Sequence, residues 1–352
     1  MENLTKIEIK RYRGLRDIEL DNLSRINVLV GENNSGKTSV LEAIQLMSEP
    51  FSRIAIRSVA NQRREFSPVT SALPFEHMLR WLFPLENGVH GEIELEMHLD
   101  SEQIPVTFSL QEEEFINEEQ IGEGEQATTV DVRYLEQTVT IKDGTKEEKF
   151  LFGGISSESK KNKESFYEAV YVSASAHRLA PIPAHTIGKI ILDDQEEELV
   201  NFLQQFDSEI TDIKVIPFPI LNREVNTLYI QRNKTELIPL ISFGDGLQKV
   251  LFIITAILRA KGGVLLLDEV EVGIHTKMIP VFFDWLSRVA KENNVTVFMT
   301  THSLEAVDGV LAANEESLDD LSFYRLEANN VKRFSGERMH SIRYNFGMEV
   351  RG

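Results

Sequence analysis

Cysteine is absent from this chain. Its absence excludes disulfides and thiolate metal sites and suits a reducing compartment. Basic residues are in deficit: 37 Lys and Arg stand against 56 Asp and Glu, a formal net charge of −19. Phosphate repels such a protein at long range, which disfavours non-specific wrapping of nucleic acid but leaves room for a local basic groove. Long apolar runs are missing too. The longest, Val250 to Leu258, ends at Arg259; it is far short of the roughly 20 residues that span a bilayer and reads as a helix buried on all sides. The stretch Met1-Glu2-Asn3-Leu4-Thr5-Lys6 carries no apolar signal-peptide core, so a cytoplasmic location without a membrane partner is expected. There is no internal repeat and no sustained heptad, which excludes solenoids and long coiled coils.

What remains is ordinary globular material, 42% hydrophobic and 26% charged over 352 residues, and that length favours two lobes. Residues 1–47 read as strand, turn, strand, loop and helix. From about 48 to 170 the pattern becomes short alternating runs at Ile93–Leu99, Val106–Leu110, Val130–Leu135 and Val139–Ile141, with a hairpin signal at Asp143-Gly144. Between them Gln111–Gln126 is polar, acidic and glycine-bearing and reads as a mobile loop; Ser156–Lys163 is a second loop candidate. Ala169–Ser173 reads as a return strand, Asp193–Phe206 as a helix with an acidic first turn, and 213–241 as further strands. From 242 to 311 loop, buried helix, apolar strand, amphipathic helix, strand and helix alternate, which implies a parallel sheet covered by helices. A hairpin around Asn329-Asn330 follows. The division expected is therefore a core of 1–47 and 171–352 with an inserted β-rich and helical lobe at 48–170.

Gly31-Glu32-Asn33-Asn34-Ser35-Gly36-Lys37-Thr38 matches the spacing of a phosphate-binding loop, with Ser39 following. It comes after the apolar run Ile26–Val30 and before a helical pattern, the setting this motif requires. Its glycines let backbone N–H groups close around phosphate oxygens at a helix N-terminus. Lys37 would reach the β- and γ-phosphates of ATP, and the Thr38 hydroxyl would hold Mg²⁺. Val264–Leu267 is an apolar strand running into Asp268-Glu269. At the carboxyl end of such a strand Asp268 would bind Mg²⁺, and Glu269 would polarise the attacking water. Ser242-Phe243-Gly244-Asp245-Gly246-Leu247-Gln248 forms a second anion-type helix start. One triphosphate does not need two, so this one is expected to face a γ-phosphate held by another copy of the chain; the alternative is a helix capped by Ser242 or Asp245. His302, just past the strand Val295–Met299, would bond the γ-phosphate or the lytic water. Glu271, Gly273 and His275 would shape the contact between copies, with simple packing an equal reading for His275. Two basic clusters, Arg53, Arg57, Arg63, Arg64 and Lys160, Lys161, Lys163, read as solvated faces with a local DNA groove as the sharper option.

Taken in order, these motifs resemble the ABC-type ATPase heads of the RecF, SMC and OLD families, and most of all the stand-alone bacterial AAA-labelled proteins related to OLD ATPases. The resemblance covers residues 1–47, with Tyr12-Arg13-Gly14-Leu15 in an opening strand, and 242–327. It implies an α/β P-loop NTPase head with a mixed sheet flanked by helices, an inserted β-rich lobe, and head-to-tail pairing that holds each ATP between the loop of one copy and Ser242, Gly244 and Gly246 of the other. It also implies that Arg13 lies near the nucleotide and offers Gln62 as the glutamine of a Q-loop. The long coiled coil of SMC proteins and the nuclease domain of OLD enzymes are not matched, so nuclease activity in this chain is not expected. The function implied is an ATPase that gates a separate effector, a nuclease or toxin, in antiphage defence; the alternative is a RecF-like, ATP-gated DNA-binding protein. A scaffold that binds ATP without turnover is a third reading, and Glu269 argues against it.

Overall fold

Ile26–Val30 is buried at every position. A strand with no polar face must be covered on both sides, and in the computed structural model of the chain it lies inside a six-stranded sheet. The structure describes residues 4–64, 75–100, 102–121, 128–153, 165–179, 182, 184–192, 196–220, 223–233, 236–327 and 330–350. Across the sheet the order is Ala169–Val172, Val264–Leu267, Thr296–Thr301, Ile26–Val30, Leu321–Glu327 and Asn330–Ser335. The first five run parallel and the last is antiparallel, which makes the sheet mixed. Parallel neighbours need crossover connections, and helices supply them. Asp245–Arg259 buries Val250, Leu251, Ile253, Ile254 and Ile257. Ile279–Glu292 turns Phe282, Phe283, Leu286 and Val289 inward at helical spacing. Leu304–Ala313 starts at Ser303, whose hydroxyl accepts from the Ala306 N–H at 3.2 Å. This sheet and its helices form one compact unit, residues 22–41 and 167–352.

The second unit, residues 1–21 and 42–166, is built on an antiparallel sheet. Its strands lie in the order Leu15–Leu20, Leu4–Tyr12, Ile93–Leu99, Glu102–Ile121, Thr128–Lys142 and Glu147–Phe152. One face alternates Ile7, Ile9, Ile18, Leu20, Leu95, Met97, Val106 and Phe108 into the core, as a half-solvated sheet does. The turn at Asp143-Gly144 joins the last pair, with Asp143 Oδ1 accepting from the N–H groups of Thr145 and Lys146 at 3.0 and 2.8 Å.

Two expectations differ from what is found. Gln111–Gln126 is not a loop up to Ile121: Glu102–Ile121 pairs residue for residue with Thr128–Lys142 from Thr107↔Lys142 to Ile121↔Thr128. Hydropathy does not reveal this pairing, because its ladder is made by backbone groups and residues 111–116 are exposed. The contact boundaries also fall elsewhere than 47/48 and 170/171: residues 1–21 join the antiparallel sheet, since Leu4–Tyr12 pairs with Ile93–Leu99. The arginine cluster is solvated at Arg57 and Arg63, which are exposed, and its side chains are also engaged. Arg53 and Arg57 lie over the rings of Phe152 and Phe75 at 5.2 and 4.9 Å, and Arg63 Nε donates to Glu42 at 2.7 Å. The helix expected over 193–206 is described from Glu196 to Leu203. The Arg64 side chain, the lysines at 160, 161 and 163, and the loop candidate Ser156–Lys163 lie outside the described residues.

Candidate functional site

The loop Gly31–Gly36 leaves the buried strand Ile26–Val30 and turns straight into the helix Lys37–Ser48. Only glycine fits at its first position: a Cβ on Gly31 would lie 2.7 Å from the Leu326 carbonyl oxygen and 2.8 Å from Ser35 Oγ. Asn34 and Gly36 take positive φ, 65° and 96°, a region asparagine and glycine tolerate best. Asn33 and Asn34 are exposed at the rim, Ser35 is half-buried and Ser39 is buried. Lys37 is buried, and its ammonium donates to the carbonyl oxygens of Gly31 and Glu32 at 2.8 and 2.7 Å. Burial lowers its pKa from the ordinary value, while Asp268, Glu269 and Glu271 oppose the shift. The ammonium thus lies folded back over the loop carbonyls, where a phosphate would be its competing partner.

Thr38 Oγ1 donates to both carboxylate oxygens of Asp268, at 3.1 and 3.0 Å. Asp268 also accepts from the Tyr171 hydroxyl at 3.1 Å and from Thr300 Oγ1 at 2.6 Å. These are hard oxygen donors with a carboxylate among them, a set that suits Mg²⁺ and no softer metal. Glu269 stands next in an unusual conformation, φ 45°. Its N–H donates to Thr300 Oγ1 at 2.8 Å, and its carbonyl oxygen accepts from Lys249 Nζ at 2.8 Å. Bonds at both sides of one residue hold a backbone that a non-glycine residue otherwise avoids. The Glu269 carboxylate faces His302 Nε2 at 2.8 Å, and the His302 N–H donates to Glu271 Oε1 at 3.1 Å. A carboxylate with an imidazole at hydrogen-bond distance can take a proton from water and pass or hold it.

Lys249, Tyr171 and Thr300 escaped the sequence reading of this site. Lys249 left a signal, a lone cation where an apolar helix begins; it is 1% exposed, and burial pushes its pKa down to about 8. Thr300 stood in the Thr300-Thr301-His302 run without a role of its own. Nothing in the sequence sets Tyr171 apart from an ordinary strand tyrosine.

The second helix start is open. Gly244 is the residue before the helix Asp245–Arg259, and no side chain caps it; neither Ser242 nor Asp245 is the cap. Ser242 and Gly244 are exposed. Gly246 is pressed against the loop after Asp268-Glu269, since a Cβ there would lie 2.9 Å from the Gly273 carbonyl oxygen. His275 is exposed and accepts from the Lys277 N–H through Nδ1 at 3.2 Å, so it is a local turn cap rather than a packing residue. Arg13 and Gln62 belong to the antiparallel unit. Arg13 Nε donates to the fully buried Glu42 at 2.7 Å and Nη1 to the Trp81 carbonyl oxygen at 2.9 Å; Gln62 is bonded to Gln45.

Fold and site together define an α/β nucleotide-binding domain of the P-loop type. Two family models match it: an "AAA ATPase domain" over residues 3–174 and an "AAA domain, putative AbiEii toxin, Type IV TA system" over residues 144–308. An "ATP/GTP phosphatase" of Helicobacter pylori is 25% identical over 339 residues, 87% of this chain and 86% of that protein. An uncharacterized protein of Methanocaldococcus jannaschii, MJECL11, is 35% identical over 113 residues, 31% of this chain and 99% of that protein. A DNA replication and repair protein RecF of Acinetobacter baumannii is 48% identical over 46 residues, 13% of each chain. Among solved structures, an Smc head domain from Pyrococcus furiosus aligns over 99% of this chain and 100% of its own with a TM-score of 0.47 at 11% identity. Each family model covers just under half of the chain, both describe AAA-labelled domains, and ATP hydrolysis is the activity they support. No helix among the described residues is long and apolar enough to cross a membrane.

Proposed function

We propose that the chain is an ATP- and Mg²⁺-dependent switch: two copies close around ATP, hydrolysis opens them, and the cycle holds or releases a separate effector protein. The observation that carries this reading is the unequal use of two helix starts. At Lys37 the loop, the cation and the Asp268 carboxylate are gathered and bonded to one another. At Gly244 the helix start is exposed and no side chain caps it, so its N–H groups can meet an anion. A second copy carrying ATP supplies one. In this scheme Lys37, with Asn33, Asn34, Ser35, Gly36 and Ser39 around it, holds the phosphates. Thr38 and Asp268 would hold Mg²⁺, which would supply positive charge for phosphoryl transfer. Glu269 draws the proton from the attacking water, His302 orients Glu269, and Ser242, Gly244 and Gly246 meet the γ-phosphate of the other copy. The description of the matched AAA domain in terms of a toxin and a type IV toxin–antitoxin system supports an effector of that class in a defence setting.

The test is light scattering of Glu269→Gln with and without Mg-ATP. This variant keeps shape and loses the base, so ATP should convert monomer to dimer and leave it there. Wild type and variant both unchanged by ATP would overturn the closing model. The RecF match favours a second reading, an ATP-gated DNA-binding protein. ATP- and salt-dependent binding to duplex DNA decides between them, since phosphate contacts make affinity fall steeply with salt.

A further inference from the structure

Asp245 is the first residue of the helix Asp245–Arg259. A carboxylate in that turn suits a helix on its own but opposes an incoming phosphate at the same N–H groups. Arg178 answers this conflict. Its guanidinium is bonded to Asp245 Oδ2 and holds the Asp245 carboxyl below its ordinary pKa. The Arg178 side chain nevertheless stays 57% exposed, and so opens to solvent beside a helix start whose preceding residues, Ser242 and Gly244, are also exposed.

Behind this pair lies a histidine that no bond explains. The His177 side chain is 1% exposed, and neither ring nitrogen has a hydrogen-bond partner among the described residues. Its Nε2 points toward Asp245 Oδ1 at 3.9 Å, too long for a hydrogen bond. Burying a polar group unpaired is costly, so this ring calls for a partner in some other state of the molecule. Gly273 abuts both residues: a Cβ there would lie 3.7 Å from Asp245 Cβ and 3.9 Å from His177 Nε2. The loop that follows Asp268-Glu269 therefore touches His177 and Asp245 at once.

We propose that Arg178 binds the γ-phosphate of ATP held by a second copy of the chain, and that His177 is a positioning residue that takes over Asp245 when Arg178 leaves it. The proposal rests on the closing model above and adds a cation to its composite site. A guanidinium meets a phosphate through two parallel N–H bonds, which a carboxylate matches in geometry but not in charge. As Arg178 turns to the phosphate, Asp245 moves by about an ångström to reach the distance at which His177 Nε2 donates to it. The carboxylate then stays neutralised from behind and does not repel the phosphate. Asp245, Arg178 and Lys249 are the charged groups that act on the imidazole. In the open form burial and the two cations keep it neutral, with Asp245 opposing them. Closing removes Arg178 and brings Asp245 nearer, so His177 gains affinity for a proton.

A surface ion pair that merely braces the segment would contribute little and act within one chain. Complementation separates the two cases. Arg178→Ala should bind a fluorescent ATP analogue within about twofold of wild type and lose turnover by about 100-fold. Lys37→Ala should be inactive because it binds no ATP. Mixed together, the first variant supplies the ATP loop and the second supplies Arg178, so turnover should rise well above either parent. The parallel mixture of Ser242→Arg with Lys37→Ala reports on the closing model alone. Recovery in that mixture without recovery in the Arg178→Ala mixture overturns the present proposal and leaves the model standing. No recovery in either overturns both, and wild-type turnover by Arg178→Ala overturns the proposal outright. For His177, nitrogen NMR of the imidazole in Glu269→Gln should show a higher pKa with Mg-ATP than without; an unchanged pKa overturns its role. His177→Phe should lose turnover and His177→Gln should restore much of it. If His177→Phe does not fold, the NMR titration of the intact side chain decides.

Discussion

The parallel and antiparallel sheets of this chain handle charge in opposite ways. Around the parallel sheet, charge is taken inside: Lys37, Lys249 and Asp268 are all buried, and each is tied by named bonds to the loop or to the strand ends. On the antiparallel sheet most charge is laid across the solvent face. Lys6 pairs with Glu8 and Glu19 at 2.6 and 2.7 Å, Lys10 with Glu96 at 2.8 Å, and Arg16 with Glu86 at 3.2 Å. Partly exposed pairs of that kind contribute at most about 1 kcal/mol each. Glu8, Glu96 and His98 come close enough there to suggest a metal, but Lys6, Lys10 and Gln103 already engage the two carboxylates. One unit thus holds desolvated charge where a triphosphate would be the compensating ion, and the other uses charge to stay solvated and in register. Glu42, fully buried between Arg13 and Arg63, and Glu96, buried under Lys10, are exceptions.

That contrast can be broken most directly at Lys37. Lys37→Ala should weaken ATP binding by more than about 100-fold in a nucleotide-binding titration, because the only cation in the loop is lost. Glu269→Gln should keep that binding and lower turnover by about 100- to 10,000-fold; equal turnover would remove Glu269 from its role. In the other unit, Arg13→Met should lower stability by about 2–4 kcal/mol in urea unfolding, since it leaves the buried Glu42 carboxylate with Arg63 as its one cation and the Tyr12 hydroxyl beside it. ATP affinity should not change if Arg13 serves Glu42 alone, and a parallel loss of affinity would support its place near the nucleotide. Lys249 predicts a pH effect. Its proton is held less tightly folded, about 8, than unfolded, near the ordinary 10.5. Between those values the unfolded chain binds the extra proton, so stability from this group rises with pH. Relative to Lys249→Met, wild type should gain about 2 kcal/mol between pH 8 and pH 10 in denaturant titrations. The smallest effect is expected at Arg57. Replacing it by Gln removes its contact with the Phe75 ring and should cost about 0.5–1 kcal/mol, with ATP binding intact and no change in the salt dependence of any DNA binding.

Much of the site could be read directly from the chain because its parts are contiguous. Gly31–Thr38, Asp268-Glu269 and Thr300–His302 each sit at the end of an apolar strand, and the link between an apolar run and a strand end is local. The pairing of Thr38 with Asp268 followed from the chemistry of the residues. The roles of Lys249 and Thr300 did not, because they act on the backbone of Glu269, and no side-chain pattern encodes which peptide groups need a partner. The acidic ribbon was misread for a related reason: pairing between Glu102–Ile121 and Thr128–Lys142 is a backbone matter, and the residues between Gln111 and Ile116 have no buried face to betray it.

By itself, then, the sequence determined the class of sheet, the phosphate loop and the carboxylates, since strand burial and glycine geometry are properties of short segments. It also determined that the surface is acidic. The tertiary structure alone decided that Leu4–Tyr12 joins the antiparallel sheet, that the guanidinium of Arg13 goes to Glu42, and that Arg178 and His177 meet Asp245. Those outcomes depend on which distant segments pack together, and the free energy of burying a charge is set by neighbours that only the folded chain supplies.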